Sequence, residues 1–198
     1  RGPSLMKIKI RLAYCLTLLL LLCTVSGCTK AARAARAVSE GDREFAAGRY
    51  ERAEILYKQA LQRSVPESEA VPDVYLKLGR VYHSQGRWLE AARYLNLGLQ
   101  QRTNDIPSKA ILGESLFFGG LSSIAFQVSV ELLQVQPGHP GAMVVLVDSA
   151  GAESTDLEKA TFILRDQPEA AKKAVAYLTA QGILRLRARD LDSGEKDY

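Results

Sequence analysis

Cysteine is scarce and badly placed for a globular domain: the chain has three, Cys15, Cys23 and Cys28, all within its first 28 positions. Cleavage before Cys28 leaves one thiol, which excludes an internal disulfide and a thiolate pair for a metal. Histidine is nearly as rare. His83 and His139 share no HxxxH or CxxC spacing, so they read as structural or solvated groups, and neither a metal nor a cofactor is expected. Missing as well are GxSxG, HExxH, Walker-type and Gly-rich nucleotide motifs, so the chain is not expected to be an enzyme. The acidic clusters Glu67 with Glu69 and Glu153 with Asp156 fall in loops, where carboxylates are solvated. With one Trp and five Phe against 47% hydrophobic residues, any core must be packed largely by Ala and Leu. Positions 1–27 lack acidic residues altogether and hold Arg1, Lys7, Lys9 and Arg11. Setting those four cations aside leaves 22 Lys plus Arg against 22 Asp plus Glu, so the formal charge of +4 belongs to the amino-terminal stretch. A chain balanced in this way has no electrostatic case for nucleic acid.

What is present begins with that stretch. Arg1 to Leu5 precede Met6 and carry no recognisable structure. From Met6 come three cations, an apolar run from Leu12 to Val25, then Ser26, Gly27 and Cys28. Such a run of about 14 residues spans only about 21 Å as a helix, short of a hydrocarbon core of roughly 30 Å. Its length favours a secretory leader over a resident transmembrane helix. Val25, Ser26 and Gly27 before Cys28 resemble the lipobox of bacterial lipoproteins, in which small residues let the chain enter the peptidase cleft extended. The resemblance implies that the Cys28 thiol accepts a diacylglyceryl group, that cleavage follows on its amino side and that the new amine is acylated. Two or three acyl chains anchor a protein essentially permanently. An ordinary signal peptide, or an uncleaved anchor whose border happens to be a cysteine, is the alternative. Thr29, in place of a retaining aspartate, favours the outer membrane over the inner.

Beyond the short Ala/Arg tether, one pattern recurs. Small residues that open a second helix stand at Ala53, Ala91, Ala125, Ala160 and Gly194, separated by 38, 34, 35 and 34 positions. Twelve positions before four of them are Gly41, Gly79, Gly113 and Gly182; the fourth copy has Val147 or Asp148 there instead. Four positions after them are Tyr57, Leu95, Ser129, Leu164 and Tyr198. Small residues let two helices approach, and large ones fill the space beside them. With Gly79, Tyr82, Gly86, Trp88 and Ala91 in register, residues 34–198 resemble the tetratricopeptide repeat (TPR) family. Copies one and two match the pattern best; Ser129 and Glu44 stand where the family usually has an aromatic residue.

The resemblance implies an all-α, right-handed α-solenoid of about four and a half helical hairpins, following a lipoprotein signal peptide. Residues 1–27 are the upstream residues and signal peptide, 28–36 the lipidated cysteine and tether, and 37–198 the array. Its copies fall at about 37–67, 72–104, 106–139, 140–174 and, in part, 175–198. Asp73 is the expected N-cap of the second copy. A proline-free stretch from Glu169 to Arg189 predicts one long helix, and Asp190 to Tyr198 the start of a further helix that stops mid-motif, as if the protein continued.

Ligand contact in the family comes from the inner wall of first helices. By alignment the candidates are Asp42 and Phe45 with Ala46, then Lys77, Arg80, His83 and Ser84, then Glu114, Phe117 and Phe118. Aromatics beside mixed charge suit a protein or peptide partner, although each phenylalanine has the alternative of packing between helices. Asp42 disfavours a carboxylate tail as ligand. The expectation is a lipid-anchored scaffold of the bacterial cell envelope, facing the periplasm and serving an assembly or export system. Its layout is also similar to the TPR protein of exosortase/PEP-CTERM systems. The rivals are a substrate-presenting amino-terminal region of a larger enzyme, such as a glycosyltransferase or peptidase, and a cytoplasmic cochaperone with a spurious leader.

Overall fold

The computed structural model describes residues 30–65, 68–151 and 154–194. The expected signal peptide, with Val25, Ser26, Gly27 and Cys28, lies outside the described residues, as does Tyr198. Helices form every regular element among the described residues. The chain divides into two units at Val71 and Pro72, and each stands on its own packing.

In the first unit, α1 (residues 30–46) and α2 (Tyr50–Arg63) form one hairpin. Gly48 takes a φ of 72° and its N–H, with that of Arg49, bonds back to the carbonyls of Phe45 and Glu44. A left-handed residue that closes a helix in this way is favoured only for glycine. Ala53, Tyr57 and Ala60, spaced for one helical face, are buried, and Ala34 and Ala37 of α1 are buried with them. Gly41 makes the close approach possible: a Cβ there would lie 2.6 Å from Cε1 of Tyr57.

The second unit contains α3 (Ala70–Ser84, whose first two residues precede the division), α4 (Trp88–Leu99), α5 (Ile106–Phe118) and α6 (Ser122–Val135). It continues with α7 (Pro140–Ser149), α8 (Ser154–Arg165), α9 (Glu169–Lys172) and α10 (Val175–Gly194). Successive helices α4 to α8 pack on one another, and α5 also meets α7, so first helices of neighbouring hairpins touch. Two apolar clusters result. One joins Leu76, Leu95, Leu112, Leu116 and Val145; the other gathers Met143, Leu146, Leu157, Leu164, Tyr177 and Leu184 around α7. The apolar segment of α7 is covered on several sides, as its composition implies: Met143, Leu146 and Val147 are fully buried.

Two expectations fail. Helix α3 begins at Ala70, not at Asp73, because Pro72 sits in the first turn, where an N–H has no helical partner to lose. Asp73 instead pairs with Arg102, Nε to Oδ1 at 3.1 Å. The stretch after Pro168 is not one helix but two, α9 and α10, with Lys173 and Ala174 between them. That turn lets Tyr177, Ala180 and Leu184 present a single buried face. Nor does α10 stop near Arg189 to start another helix; it runs to Gly194. The hairpin turns at Gly48, Gly86 and Gly120 use φ values of 72°, 73° and 80°, and each glycine stands seven residues after Gly41, Gly79 or Gly113. Seven after Gly182 is Arg189, a residue for which the left-handed region is costly, so the helix continues.

Candidate functional site

Of the candidate contact residues, Asp42, Phe45 and Ala46 belong to the first unit. Asp42 Oδ1 accepts a hydrogen bond from the buried Tyr57 hydroxyl at 2.7 Å, and Phe45 is half-buried with its ring 5.5 Å from that of Tyr50. These contacts tie the two helices of the hairpin together.

The other seven are in the second unit, and five of them meet on the faces of α3 and α5. Asp105 caps α5, accepting the Ser108 N–H at 2.9 Å. Arg80 reaches across from α3: Nη2 donates to Ser108 Oγ at 2.9 Å and lies 3.6 Å from Asp105 Oδ1. Its Nε is buried and finds no acceptor among the described residues. Two turns further along α5, Ser115 donates its hydroxyl hydrogen to the Ile111 carbonyl at 2.7 Å, so the Nδ1–H of His83 donates to Ser115 Oγ at 3.0 Å. That leaves His83 Nε2 toward Glu114 Oε2, 3.5 Å away. Glu114 in turn lies against Gly141 at the start of α7, where a Cβ would be 3.2 Å from its Oε1.

Beside this polar row is an aromatic one. His83 meets Trp88 edge-on at 5.2 Å, Trp88 lies 5.0 Å from Phe118, and Phe118 lies 5.4 Å from Phe117. The adjacent phenylalanines divide their roles: Phe117 packs against the apolar cluster, whereas Phe118 remains 57% exposed. Leu89, also exposed, rests against Gly119 beside it. Lys77 is half-buried and Ser84 exposed.

Burial pushes the His83 imidazole below its ordinary value, and the Glu114 carboxylate opposes that shift without reversing it. His83 is therefore neutral at pH 7. The unfolded chain takes up a proton near pH 6.5 while the folded one does not, so stability falls as pH drops from about 6.5 through the lowered folded value. Urea unfolding at pH 7.5 and 5.5 should show this loss in the native chain, and His83→Gln should show a smaller one; equal losses would remove His83 as the cause.

Trp88, Asp105, Ser108 and Ser115 were not among the sequence candidates for this site. Their signal was available in part. Ser108 and Ser115 stand seven apart, on one face of α5, and are both fully buried, a placement that requires hydrogen-bond partners. Among the described residues no three His, Cys, Asp or Glu side chains gather to hold a metal ion.

A model of the tetratricopeptide repeat family matches residues 28–104, the stretch holding the first two hairpins. No match was found among curated proteins. The fold is similar to that of YrrB, described as a TPR protein with an unusual peptide-binding site: 20% identity, 75% of this chain and 74% of that one, TM-score 0.63. It is similar to the second TPR domain of human RPAP3 in complex with the HSP70 peptide SGPTIEEVD, at 19% identity over 63% of this chain and 98% of that one, TM-score 0.53. MamA from Desulfovibrio magneticus RS-1 is similar at 17% identity over 83% of this chain and 90% of that one, TM-score 0.65. The described helices therefore have the fold of tetratricopeptide repeat proteins, and the first two hairpins carry the family's sequence pattern as well.

Proposed function

We propose that this chain is a protein-binding TPR scaffold of the bacterial cell envelope, held at a membrane by lipid on Cys28. The observation that carries the binding reading is Phe118. A phenylalanine 57% exposed, in ring contact with Trp88 and Phe117 and flanked by exposed Leu89, is an apolar anchor point beside the polar pairs of Arg80 and His83. Aromatic anchors next to oriented polar groups supply much of the energy and the register of protein recognition. Peptide binding by YrrB and by the RPAP3 domain shows what this fold is used for elsewhere. Support for the anchor comes from the sequence: the short charged and apolar leader and the Val25–Ser26–Gly27–Cys28 pattern. Assembly or export machinery fits a scaffold placed there, with the periplasm as the compartment and the outer membrane the favoured site.

A photo-crosslinking amino acid at position 118, in cells, should capture a discrete partner in the envelope fraction. Phe118→Ala should weaken binding of that partner by about 30-fold, the consequence of losing roughly 2 kcal/mol at a central aromatic. Unchanged affinity would take the binding face elsewhere. Radioactive palmitate should label the native chain and not Cys28→Ala; equal labelling would remove the anchor.

A further inference from the structure

The arginines of the first hairpin are divided between its two ends. At the turn, Arg49 is paired with Glu44, Nε to Oε2 at 2.5 Å, and Arg52 approaches the same carboxylate at 4.0 Å. At the open end, where α1 starts and α2 finishes, the situation is different. Arg33 and Arg36 of α1 and Arg63 of α2 line one cleft of about 200 Å³, together with Gln59, Leu56 and Glu40. Among the described residues none of these three guanidiniums has a hydrogen-bond or ion-pair partner. Arg63 is in the last turn of α2, where the helix dipole holds a cation without any carboxylate. Three uncommitted guanidiniums against one carboxylate make a concave, net positive site, and a planar donor fork matches the oxygens of a phosphate.

We propose that this cleft receives the phosphate headgroup of an anionic phospholipid and so fixes the first hairpin against the bilayer. Covalent geometry argues for a lipid source over a soluble one. Whatever the conformation between Cys28 and Lys30, covalent reach across those two residues plus the three helical residues from there to Arg33 keeps the two Cα atoms within roughly 13 Å. A lipid on Cys28 thus brings the cleft close to the depth of the headgroups, within about one to two Debye lengths of their charge. The orientation rests on the anchor proposed above; the phosphate chemistry of the cleft does not. Held at two points, the hairpin would have a set attitude on the membrane instead of swinging on its tether.

The test uses the full chain, purified from envelopes in neutral detergent and examined by native mass spectrometry. Probes are dihexanoyl-phosphatidylglycerol, dihexanoyl-phosphatidylcholine, inorganic phosphate and a tetra-aspartate peptide. The native chain should retain phosphatidylglycerol in preference to phosphatidylcholine. The triple variant Arg33→Gln/Arg36→Gln/Arg63→Gln should bind it about a hundredfold more weakly, since each arginine facing an anionic surface contributes about fivefold. Arg43→Gln/Arg52→Gln, which removes charge elsewhere on the hairpin, should stay within about twofold of the native chain. Thermal melting of both variants checks that they fold, and Arg36→Gln alone, with about a fivefold loss, serves if the triple variant does not. Equal binding by native and triple chains, or equal retention of the two lipids, overturns the proposal. Displacement by inorganic phosphate would assign the cleft to a free anion, and retention of the acidic peptide without the lipid would assign it to a protein segment; either overturns the lipid source. The same spectra report the mass of the amino terminus. An unmodified Cys28 with the arginine contrast intact removes the anchor and keeps the cleft, whereas a lipidated Cys28 with no contrast does the reverse.

Discussion

Gly79→Ala should lower the unfolding free energy by about 1–3 kcal/mol, while Gly113→Ala, the same change at the equivalent position one hairpin later, should raise it by about 0.5–1 kcal/mol. Both glycines are inside first helices, where alanine gains up to roughly 1 kcal/mol of helix propensity. Space separates the outcomes. A Cβ on Gly79 would stand 2.5 Å from Cγ and 2.8 Å from Cδ2 of Leu95, and 3.0 Å from the Leu95 backbone nitrogen. Leu95 is fully buried and cannot swing away, so helices α3 and α4 must part. At Gly113 the closest atoms are Oγ of Ser129 and Cγ1 of Val128, both at 3.7 Å, which is ordinary contact. Urea denaturation of the two single variants reads the sign directly. In a cycle with Leu95→Ala, the Gly79→Ala penalty should shrink, since the side chain it strikes is gone. Equal effects at the two glycines would mean that the helix spacing around Gly79 is not set by this contact.

That contrast also says what a sequence of this kind reveals. The alignment on Ala53, Ala91, Ala125 and Ala160 found positions that are all fully buried, because a small residue at a helix crossing recurs with the hairpin and leaves a period. It put Gly41 in one copy with Tyr57 and Gly79 in one copy with Leu95, and in each case the large residue is the one packed directly against the glycine. Ser129 looked like a departure from the pattern; it is the small partner that makes Gly113 dispensable. The candidate site was less legible. Alignment placed Arg80, His83 and Glu114 on first helices but carried no information about what they bond to, since Ser108 and Ser115 belong to the next hairpin and follow no repeat. Likewise Trp88 and Phe118 are thirty positions apart, and only folding puts one ring on the other. Boundaries failed where local chemistry outweighed period: at Pro72, which helix α3 accepts in its first turn, and at Lys173 and Ala174, where burial of Tyr177 bends a stretch that has no breaking residue.

Replacing Arg187 by Met should cost about 2–3 kcal/mol, more than its half-exposed position suggests, because of what it supplies to a neighbouring helix. The first helices of the first three hairpins end on Gly48, Gly86 and Gly120, whose left-handed conformation returns N–H groups to the last carbonyls. Helix α7 has no such glycine; its C-cap is Ala150, with ψ at 129°. Arg187 reaches over from α10 instead, Nη1 donating to the Ala150 carbonyl at 2.7 Å and Nη2 to that of Asp148 at 3.0 Å. A guanidinium there satisfies carbonyls that the helix itself cannot and opposes the negative end of its dipole. Methionine keeps the packing of the stem and removes only the donors. The deficit should also depend on pH. Burial holds the Asp148 carboxyl above its ordinary range and Arg187 pulls it back, so without the arginine it rises further. A carboxyl whose folded value is raised favours the folded chain only while protonated, and that contribution disappears as pH climbs through the folded value. Guanidinium chloride unfolding should therefore show a larger difference between native and Arg187→Met chains at pH 7 than near pH 4. A difference that stays constant across that interval would confine Arg187 to the carbonyls, and no difference at all would mean that α10 is held to α7 by Tyr177, Ala180 and Leu184 alone.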